Sequence, residues 1–447
     1  MTDNATDVTT DKTTDKTAYD TIDFFTDASL VDDPFPYFDH LRQRCPVTRL
    51  PHHGVVAVTG YEEAHEVLRN HETFSSCNSA SGPFPGFADA PEGDDITAFI
   101  AAHRDELPMS EYMVTQDVPA HHDHRGLIMR LLTPKRMREN EEFMWRLADR
   151  QIDEFIDRGT FEVLRDYGQA FALLVIADLL GVPEEHHREF RKHLGGLPQM
   201  ADGEPQEMAH DPLSFLIERF SQFVEERRHD PRNDVLTQIA RATFADGRTP
   251  DADFVARMAA FLFAAGQDTT ARLICAALHV IAERPDIQAA LRADTALIPN
   301  FVEEVLRLEG PVKSMGRMTR VNTAVAGQDI AAGTCVTIFP GAANRDPDRF
   351  DEPHEFCIDR ANAKEHLAFG RGIHSCPGAP LSRIEARVSI ERLLSRTSDI
   401  RINEAVHGPA NARRYDQEPI YILRGLRALH LEFTVAGDAS GRLSPAR

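Results

Sequence analysis

Residues 369–378, FGRGIHSCPG, place a single cysteine among glycines, with a histidine two positions before it. Pro377 suits the first turn of a helix, where its missing N–H group would have had no partner. Apolar residues at helical spacing follow in APLSRIEARVSIERLL. Cys376 therefore lies at a predicted helix N-terminus, where free N–H groups and the helix dipole favour a thiolate over a thiol. This environment is typical of a metal ligand or of a nucleophile.

Several other roles for Cys376 have little support in the sequence. The six cysteines show no C-x-x-C and no paired spacing, which argues against a disulfide framework. GRGIHS begins like a dinucleotide fingerprint but has Ser375 at the third glycine position, and a zinc site would need further ligands nearby. His374 could act as the base for a cysteine nucleophile. On the residues alone, a nucleophile and a metal ligand both remain open.

The cysteine segment resembles the cysteine loop of the cytochrome P450 haem-thiolate monooxygenases, F-x-x-G-x-H/R-x-C-x-G. Further matches occur in the family's order, and the resemblance covers roughly residues 25–434. These matches are AGQDTT at 265–270, Glu304-x-x-Arg307, ANRDPDRF at 343–350, LLGVP at 179–183 and HHDHR at 121–125. The resemblance implies that Cys376 is the axial ligand of the iron in haem b, since thiolate ligation is a property of this family.

The resemblance also implies the other contacts of the haem. Four side chains are expected to bind its propionates: His121, Arg125, Arg317 and His374. Further haem contacts are expected at Phe369, Gly370, Ala265 and Gly266. A structural network tied to the loop before the cysteine is expected from Glu304, Arg307, Asn344 and Arg345.

Asp268 and Thr269 are polar residues in the long apolar stretch FVARMAAFLFAAGQDTTARLICAALHVIA. We expect them to be at least partly buried, with the Thr269 hydroxyl either bonding the preceding turn's carbonyl or opening the helix. Gly266 lowers helix stability here and leaves room for a ligand against the backbone. The resemblance implies that Asp268 and Thr269 form the acid–alcohol pair that delivers protons to dioxygen.

The resemblance implies a largely apolar substrate pocket. Its expected lining is Phe84, Phe87, Phe99, Phe261, Ala264, Ala265, Met315, Ile422 and Leu423. The implied activity is hydroxylation or epoxidation of a hydrophobic small molecule of terpenoid, aromatic, steroid or fatty acyl type. The alternatives are a peroxide-driven peroxygenase and a non-catalytic haem-thiolate binding protein, and the QDTT segment argues against both. We expect the loops at 76–116 and 194–210 to gate access to the pocket.

These residues must be positioned by helices and strands, and the sequence pattern predicts a mainly α fold with a small β portion. We expect this fold to form a single large domain at 22–434. Residues 120 to about 300 are mostly helical in pattern, and helix resumes at 379–395. Short β-like pieces include TAVAG, TCVTIFP and the closing PIYILRGLRALHLEFTV. Residues 1–21 are expected to be a disordered leader, and 435–447 a flexible tail.

Composition narrows the setting of the protein. The net charge of -22 argues against nucleic-acid binding, and charges within the longest apolar stretch argue against a membrane span. Few, scattered cysteines suit a reducing cytoplasm, and we expect a monomer. The chain holds no flavin or iron–sulfur module, so an iron–sulfur ferredoxin and its reductase are the expected electron donors. A basic patch for the ferredoxin is expected at Arg130, Lys135, Arg136, Arg138 and Arg371.

Overall fold

The computed structural model describes residues 16–82, 86–194 and 212–436. The chain is 53% helical and 11% strand in one domain, which confirms the predicted mainly helical fold. The α-helices are α1 Ser29–Asp32, α2 Phe35–Arg44, α3 Tyr61–Arg69, α4 Thr97–Ala102, α5 Ala120–Met129, α6 Pro134–Asp153, α7 Gln169–Leu179, α8 His187–Leu194, α9 Pro212–His229, α10 Val235–Ala240, α11 Ala252–Glu283, α12 Pro285–Ala293, α13 Ile298–Glu309, α14 Pro340–Ala343, α15 Ala379–Arg396 and α16 Glu404–His407.

The strands form three small sheets. They are β1 Val47–Arg49, β2 Val56–Val58, β3 Phe74–Ser75, β4 Thr160–Glu162, β5 Met315–Thr319, β6 Thr323–Val325, β7 Gln328–Ile330, β8 Cys335–Ile338, β9 Thr397–Ile402 and β10 His430–Val435. The largest sheet has the order β1-β2-β8-β5-β3, in which β2 and β8 are parallel. The other two sheets are β4-β10-β9 and the hairpin β6-β7. Strand β5 is central to the site, because it begins at Met315 and carries Arg317.

Helix α11 runs through the largest hydrophobic core, where it packs against α7, α9, α13 and α15. The Asp251 carboxylate accepts a hydrogen bond from the Phe254 N–H group at 2.6 Å and so caps its first turn. Buried residues recur along all 32 residues of the helix, which fits the predicted apolar segment. Within the described residues, no helix has both the length and the apolar character needed to cross a membrane.

Regular secondary structure extends slightly past both predicted domain boundaries. Residues Lys16–Thr21, assigned to the leader from sequence, form a 3-10 helix. Tyr19 holds this turn in place because its ring packs edge-on against Tyr37, with the centroids 5.8 Å apart. At the other end Val435 completes β10. Residues 1–15 and 437–447 lie outside the described part of the chain.

The closing β prediction is only partly correct. Residues 430–435 form β10, but 419–429 carry only isolated bridges. In this stretch Gln417 bridges Leu426, and Leu423 bridges Val312. The apolar residues that looked like strand therefore form a short hairpin, and this hairpin lies against the segment before β5.

Candidate active site

The cysteine loop is fixed by its own backbone and by helix α3. The Cys376 N–H group donates to the Phe369 carbonyl at 2.8 Å, which closes the loop just before α15. Gly370 and Gly372 have φ angles of +64° and +72°, a region that favours glycine. At Gly372 a Cβ would lie 2.5 Å from the Leu68 carbonyl oxygen. Glycine is therefore needed at this position for both its conformation and the close approach of α3.

The Cys376 side chain is accessible, and its sulfur is also surrounded by protein. Cys376 is exposed, as are Ala264 and Ala265 on α11. Protein atoms nevertheless surround the Cys376 sulfur closely enough for burial to affect its pKa.

Burial raises the pKa of the Cys376 thiol, although the N–H groups of Gly378 and Ala379 and the charges of Arg125 and Arg383 act to lower it. The helix N-terminus predicted from sequence is thus present. Its effect on the thiol pKa is smaller than the opposing effect of burial. A cation bound to the sulfur would stabilise the thiolate further.

Four basic side chains predicted for the propionates converge beside this loop. His121 on α5 is fully buried, and its ring centroid lies 4.2 Å from that of His374. Arg125, one turn further along α5, donates from Nη1 to the Ser375 carbonyl at 2.8 Å. Arg317 on β5 is 7% exposed, and its Nη1 donates to the Gly316 carbonyl at 2.7 Å. Elements distant in the sequence therefore bring these side chains to the cysteine loop.

The electrostatics of this cluster call for an anion. Burial lowers the pKa of His121 to about 4, that of His374 to about 2 and that of Arg317 to about 10. Among the described residues, neither ring nitrogen of His121 has a hydrogen-bond partner. The Nε2 of His374 has none among these residues either. Asp117, a carboxylate that acts on His121 and Arg317, is already bound to the Ser76 N–H group (3.1 Å) and to Arg320 (2.7 Å). Unpaired buried donors of this kind fit the two carboxylates of a haem.

Helix α11 carries the predicted acid and alcohol without interruption. The Thr269 hydroxyl donates to the Ala265 carbonyl at 2.9 Å, so of the two outcomes expected from sequence, the bond to the preceding turn is the one observed. The Asp268 carboxylate accepts from Arg272 Nε at 2.7 Å. The Arg272 contact had no local signal beyond its i,i+4 spacing.

Gly266 lets helix α11 pack closely against α7. A Cβ at Gly266 would lie 2.6 Å from Ile176 Cδ1, because α7 crosses α11 at this point. The missing side chain therefore allows two helices to approach, and the room that it leaves is taken by Ile176. The haem contact predicted for Gly266 stays a prediction.

The predicted Glu304–Arg307 network is present, with one change of member. Both side chains are fully buried, and two nitrogens of Arg307 each lie 2.8 Å from a carboxylate oxygen of Glu304. Asn344 joins through its carbonyl, 2.8 Å from Arg307 Nη1. Arg345 instead pairs with Glu309 at 3.6 Å and lies over the Phe35 ring. Arg360, which sequence reasoning missed, binds Glu304 at 3.0 Å.

The predicted pocket residues occupy several surfaces. Met315 lies beside the cysteine loop, because its sulfur is 3.9 Å from where a Cβ of Gly370 would be. The Ile422 carbonyl accepts from the Lys313 N–H group at 2.7 Å, so the predicted segments around 313–315 and 422–423 meet. Phe87 packs on Phe99, with their centroids 5.1 Å apart.

Phe261 packs on Tyr112, with a centroid distance of 5.4 Å. Phe84 lies outside the described residues, as does 195–210 of the predicted gating segment 194–210. The pocket lining as a whole therefore stays a prediction.

Comparisons with known proteins identify the family of this chain. The family model of cytochrome P450 matches residues 199–398. Cytochrome P450 144 of Mycobacterium tuberculosis is 32% identical over 380 residues, which are 84% of this chain and 85% of the relative. The structure of substrate-free CYP150A6 from Mycobacterium marinum shares 57% identity with a TM-score of 0.89, covering 94% of this chain and 100% of that one.

A more distant structure is that of CYP109E1 from Bacillus megaterium in complex with corticosterone. It shares 26% identity with a TM-score of 0.75, and the match covers 90% of this chain and 98% of that one. The chain belongs to the cytochrome P450 family. It is a haem-dependent monooxygenase.

We expect Gly372→Ala to weaken haem retention more than Gly327→Ala does. Both glycines have positive φ, at +72° and +74°, so both substitutions cost about 1–2 kcal/mol in backbone conformation. Only at Gly372 does the added Cβ also meet backbone, whereas at Gly327 nothing lies within 4 Å. Haem content per protein and the thermal midpoint of the haem-loaded protein measure the difference. Equal losses in the two variants would contradict the role assigned to the contact with α3.

Proposed function

We propose that this chain holds haem b through Cys376 and oxidises a hydrophobic small molecule, with electrons from a separate ferredoxin. The observation that supports this most directly is the accessible thiol beside a cluster of buried, unpartnered histidine nitrogens. His121, Arg125, Arg317 and His374 would bind the propionates, and Cys376 the iron. When bound, the haem supplies the reductive activation of dioxygen.

The first experiment is an optical spectrum of the purified protein, reduced with dithionite and exposed to carbon monoxide. We expect a Soret band displaced far to the red, because Cys376 would bind the iron as a thiolate. Cys376→Ser should lose this band, and Cys357→Ser, which alters a partly exposed cysteine on another loop, should keep it. A histidine-type carbonyl spectrum in the unaltered protein would remove Cys376 from the proposed site.

Thr269 and Asp268 on α11 would deliver protons to the site. The Thr269 hydroxyl hydrogen is bonded to the Ala265 carbonyl, which leaves the oxygen lone pairs to accept a hydrogen bond from a bound ligand. The Asp268 carboxylate, on the adjacent residue, would take up a proton from the solvent side and release it toward the site. The side chain of Asp268 is 22% exposed, so it is only partly enclosed by protein.

We expect Thr269→Ala to lower the product formed per NADH by about tenfold or more, since a positioned proton-handling group contributes roughly 10²–10⁴-fold to the rate of the step that it serves. Because the hydroxyl that accepts the hydrogen bond is missing, the variant should release hydrogen peroxide instead of product. Thr269→Ser, which keeps the hydroxyl, should stay near the unaltered protein. Thr270→Ala is the matched control, because that hydroxyl bonds Ser382 on α15 instead. A loss of coupling in Thr270→Ala equal to that in Thr269→Ala would contradict the assignment.

The substrate class follows from the apolar pocket predicted around Phe261 and Met315. Two relatives support a bulky organic substrate: CYP109E1, whose structures hold corticosterone and testosterone, and HmtN, a hydroxylase of himastatin biosynthesis. A suitable panel is testosterone, lauric acid, limonene and naphthalene, scored by the shift of the ferric spectrum from low to high spin. Turnover with ferredoxin, reductase and NADH, compared with turnover by hydrogen peroxide alone, separates the monooxygenase from a peroxygenase.

An acidic iron–sulfur ferredoxin is the proposed electron donor, and we place the protein in the cytoplasm as a monomer. The net charge of -22 would repel an acidic partner, so docking needs a local basic surface. Arg138 on α6 is exposed and supplies it. Lys135 and Arg136 contribute less, since both pair with Glu139, at 3.8 Å and 2.9 Å. Arg371 is turned toward carbonyls of its own loop, with Nη2 3.0 Å from the Glu365 carbonyl.

We expect Arg138→Glu to raise the ferredoxin concentration needed for half-maximal turnover by about threefold to tenfold at low salt. The maximal rate at saturating ferredoxin should change little, since the substitution lies on the surface. The difference should shrink at high ionic strength. Arg401→Glu on β9, paired with Asp399 and 55% exposed, makes the same charge change elsewhere. Equal effects of the two variants would place the docking surface elsewhere.

A further inference from the structure

Among the described residues, Arg272 is the cation that pairs with the proposed proton-handling acid, Asp268. It lies one helical turn after Asp268 on α11, and its side chain is 8% exposed. Its Nε donates to Asp268 Oδ2 at 2.7 Å. Its Nη2 lies 3.4 Å from a carboxylate oxygen of Glu418. One mostly buried guanidinium is therefore shared by two carboxylates, at a short distance on one side and a long one on the other.

The hairpin at 417–426 is shaped to receive this guanidinium. The Glu418 N–H group donates to the Gly425 carbonyl at 3.0 Å, and Gln417 bridges Leu426. A Cβ at Gly425 would lie 3.0 Å from Arg272 Nη1 and 3.1 Å from its Cδ. Glycine at 425 therefore leaves the space that the arginine side chain fills. The fit shows that Arg272 is held between α11 and this hairpin.

The same hairpin reaches the predicted substrate pocket. Its tip contains Ile422, whose carbonyl accepts from the Lys313 N–H group, and Leu423, which bridges Val312. Two residues beyond Lys313, Met315 lies beside the cysteine loop. Glu418 and Ile422 belong to the same short hairpin, so a movement of its tip would shift Glu418 relative to Arg272.

The competition between the two carboxylates decides how firmly Asp268 is held. To turn and pass on a proton, Asp268 must release its hydrogen bond to Arg272 Nε. A second carboxylate close to the guanidinium makes that release easier, because the cation keeps an ionised partner. Among the described residues, Arg272 Nη1 has no hydrogen-bond partner, so one N–H donor group remains for an altered arrangement.

We propose that Arg272 is a positioning residue that restrains Asp268, and that Glu418 competes with Asp268 for it. The hairpin at 417–426 then sets how readily Asp268 releases its proton toward the site. This inference rests on the proposed role of Asp268, and it adds Arg272 and Glu418 to the reaction without giving either of them contact with substrate or haem.

The first test is kinetic and uses the haem-loaded protein with excess ferredoxin, reductase and the panel compound that gives the largest spin shift. With Glu418→Gln, Arg272 should bind Asp268 alone, and NADH oxidation should slow by about twofold to fivefold, the scale of a partly exposed ion pair. The ratio of rates in H2O and D2O should rise, because proton release becomes slower. Glu404→Gln, whose carboxylate pairs with Arg413 instead, is the matched control.

A double-substitution comparison identifies Arg272 as the shared partner. Lysine at 272 keeps the charge but lacks the fork that reaches both carboxylates. In an Arg272→Lys background, Glu418→Gln should therefore cause no further slowing. The same slowing in both backgrounds, or none in the unaltered background, would overturn the proposal.

A stability measurement tests the sharing without relying on turnover. Asp268→Asn should lower the thermal midpoint of the haem-loaded protein more in the Glu418→Gln background than in the unaltered one, because Arg272 then loses its last ionised partner. Equal losses would overturn the proposal, since they mean that the two carboxylates act independently.

The proposed function can fail separately. If Asp268→Asn leaves the rate and its isotope ratio unchanged, the proton role of Asp268 is wrong, whatever the stability comparison gives.

Discussion

The buried ion pair between Glu304 and Arg307 is the interaction on which the site most depends. Neither side chain has measurable exposure, and taking both charges out of water is costly unless every donor is used. The Arg307 guanidinium therefore also binds the carbonyls of Asn344, Pro353 and Glu355. Those contacts fix the irregular chain after α14, and Asn344 Oδ1 in turn accepts from the Leu367 N–H group at 2.7 Å. The cysteine loop begins two residues later.

The parts of this arrangement that were predictable from sequence are local. The glycines and Cys376 occupy consecutive positions, and Glu304 and Arg307 share one helix face, so the segment itself carries the pattern. The α11 helix is similarly visible as a long apolar run. The sequence does not show which side chain, distant along the chain, completes each hydrogen bond or ion pair. Arg360 lies 56 residues from Glu304, and the basic residue next to Asn344, Arg345, turned out to pair with Glu309 instead.

Gly266 and Cys376 illustrate the same limit in energetic terms. A glycine within a helix indicates that another group comes close to the backbone. Only the tertiary structure shows that this group is the Ile176 side chain. For Cys376, the helix N-terminus and nearby arginines favour the thiolate, and the sequence displays the helix start. Burial acts in the opposite direction and prevails. Its size depends on how α11, α15 and the cysteine loop enclose the sulfur, and that is a property of the packed fold.

Helix α11 must carry polar chemistry through an apolar core and yet remain a helix. It does so by giving its two proposed proton-handling side chains partners within about one turn: Thr269 bonds the Ala265 carbonyl, and Asp268 bonds Arg272. Local satisfaction keeps the backbone ladder continuous, because no side chain competes for a helical N–H group. It also means that Asp268 must exchange its partner before it can pass on a proton, whereas Thr269 can accept a hydrogen bond while it still donates to Ala265. The reactive part of the helix is therefore controlled by whichever neighbour offers the alternative partner, and for Arg272 that neighbour is Glu418.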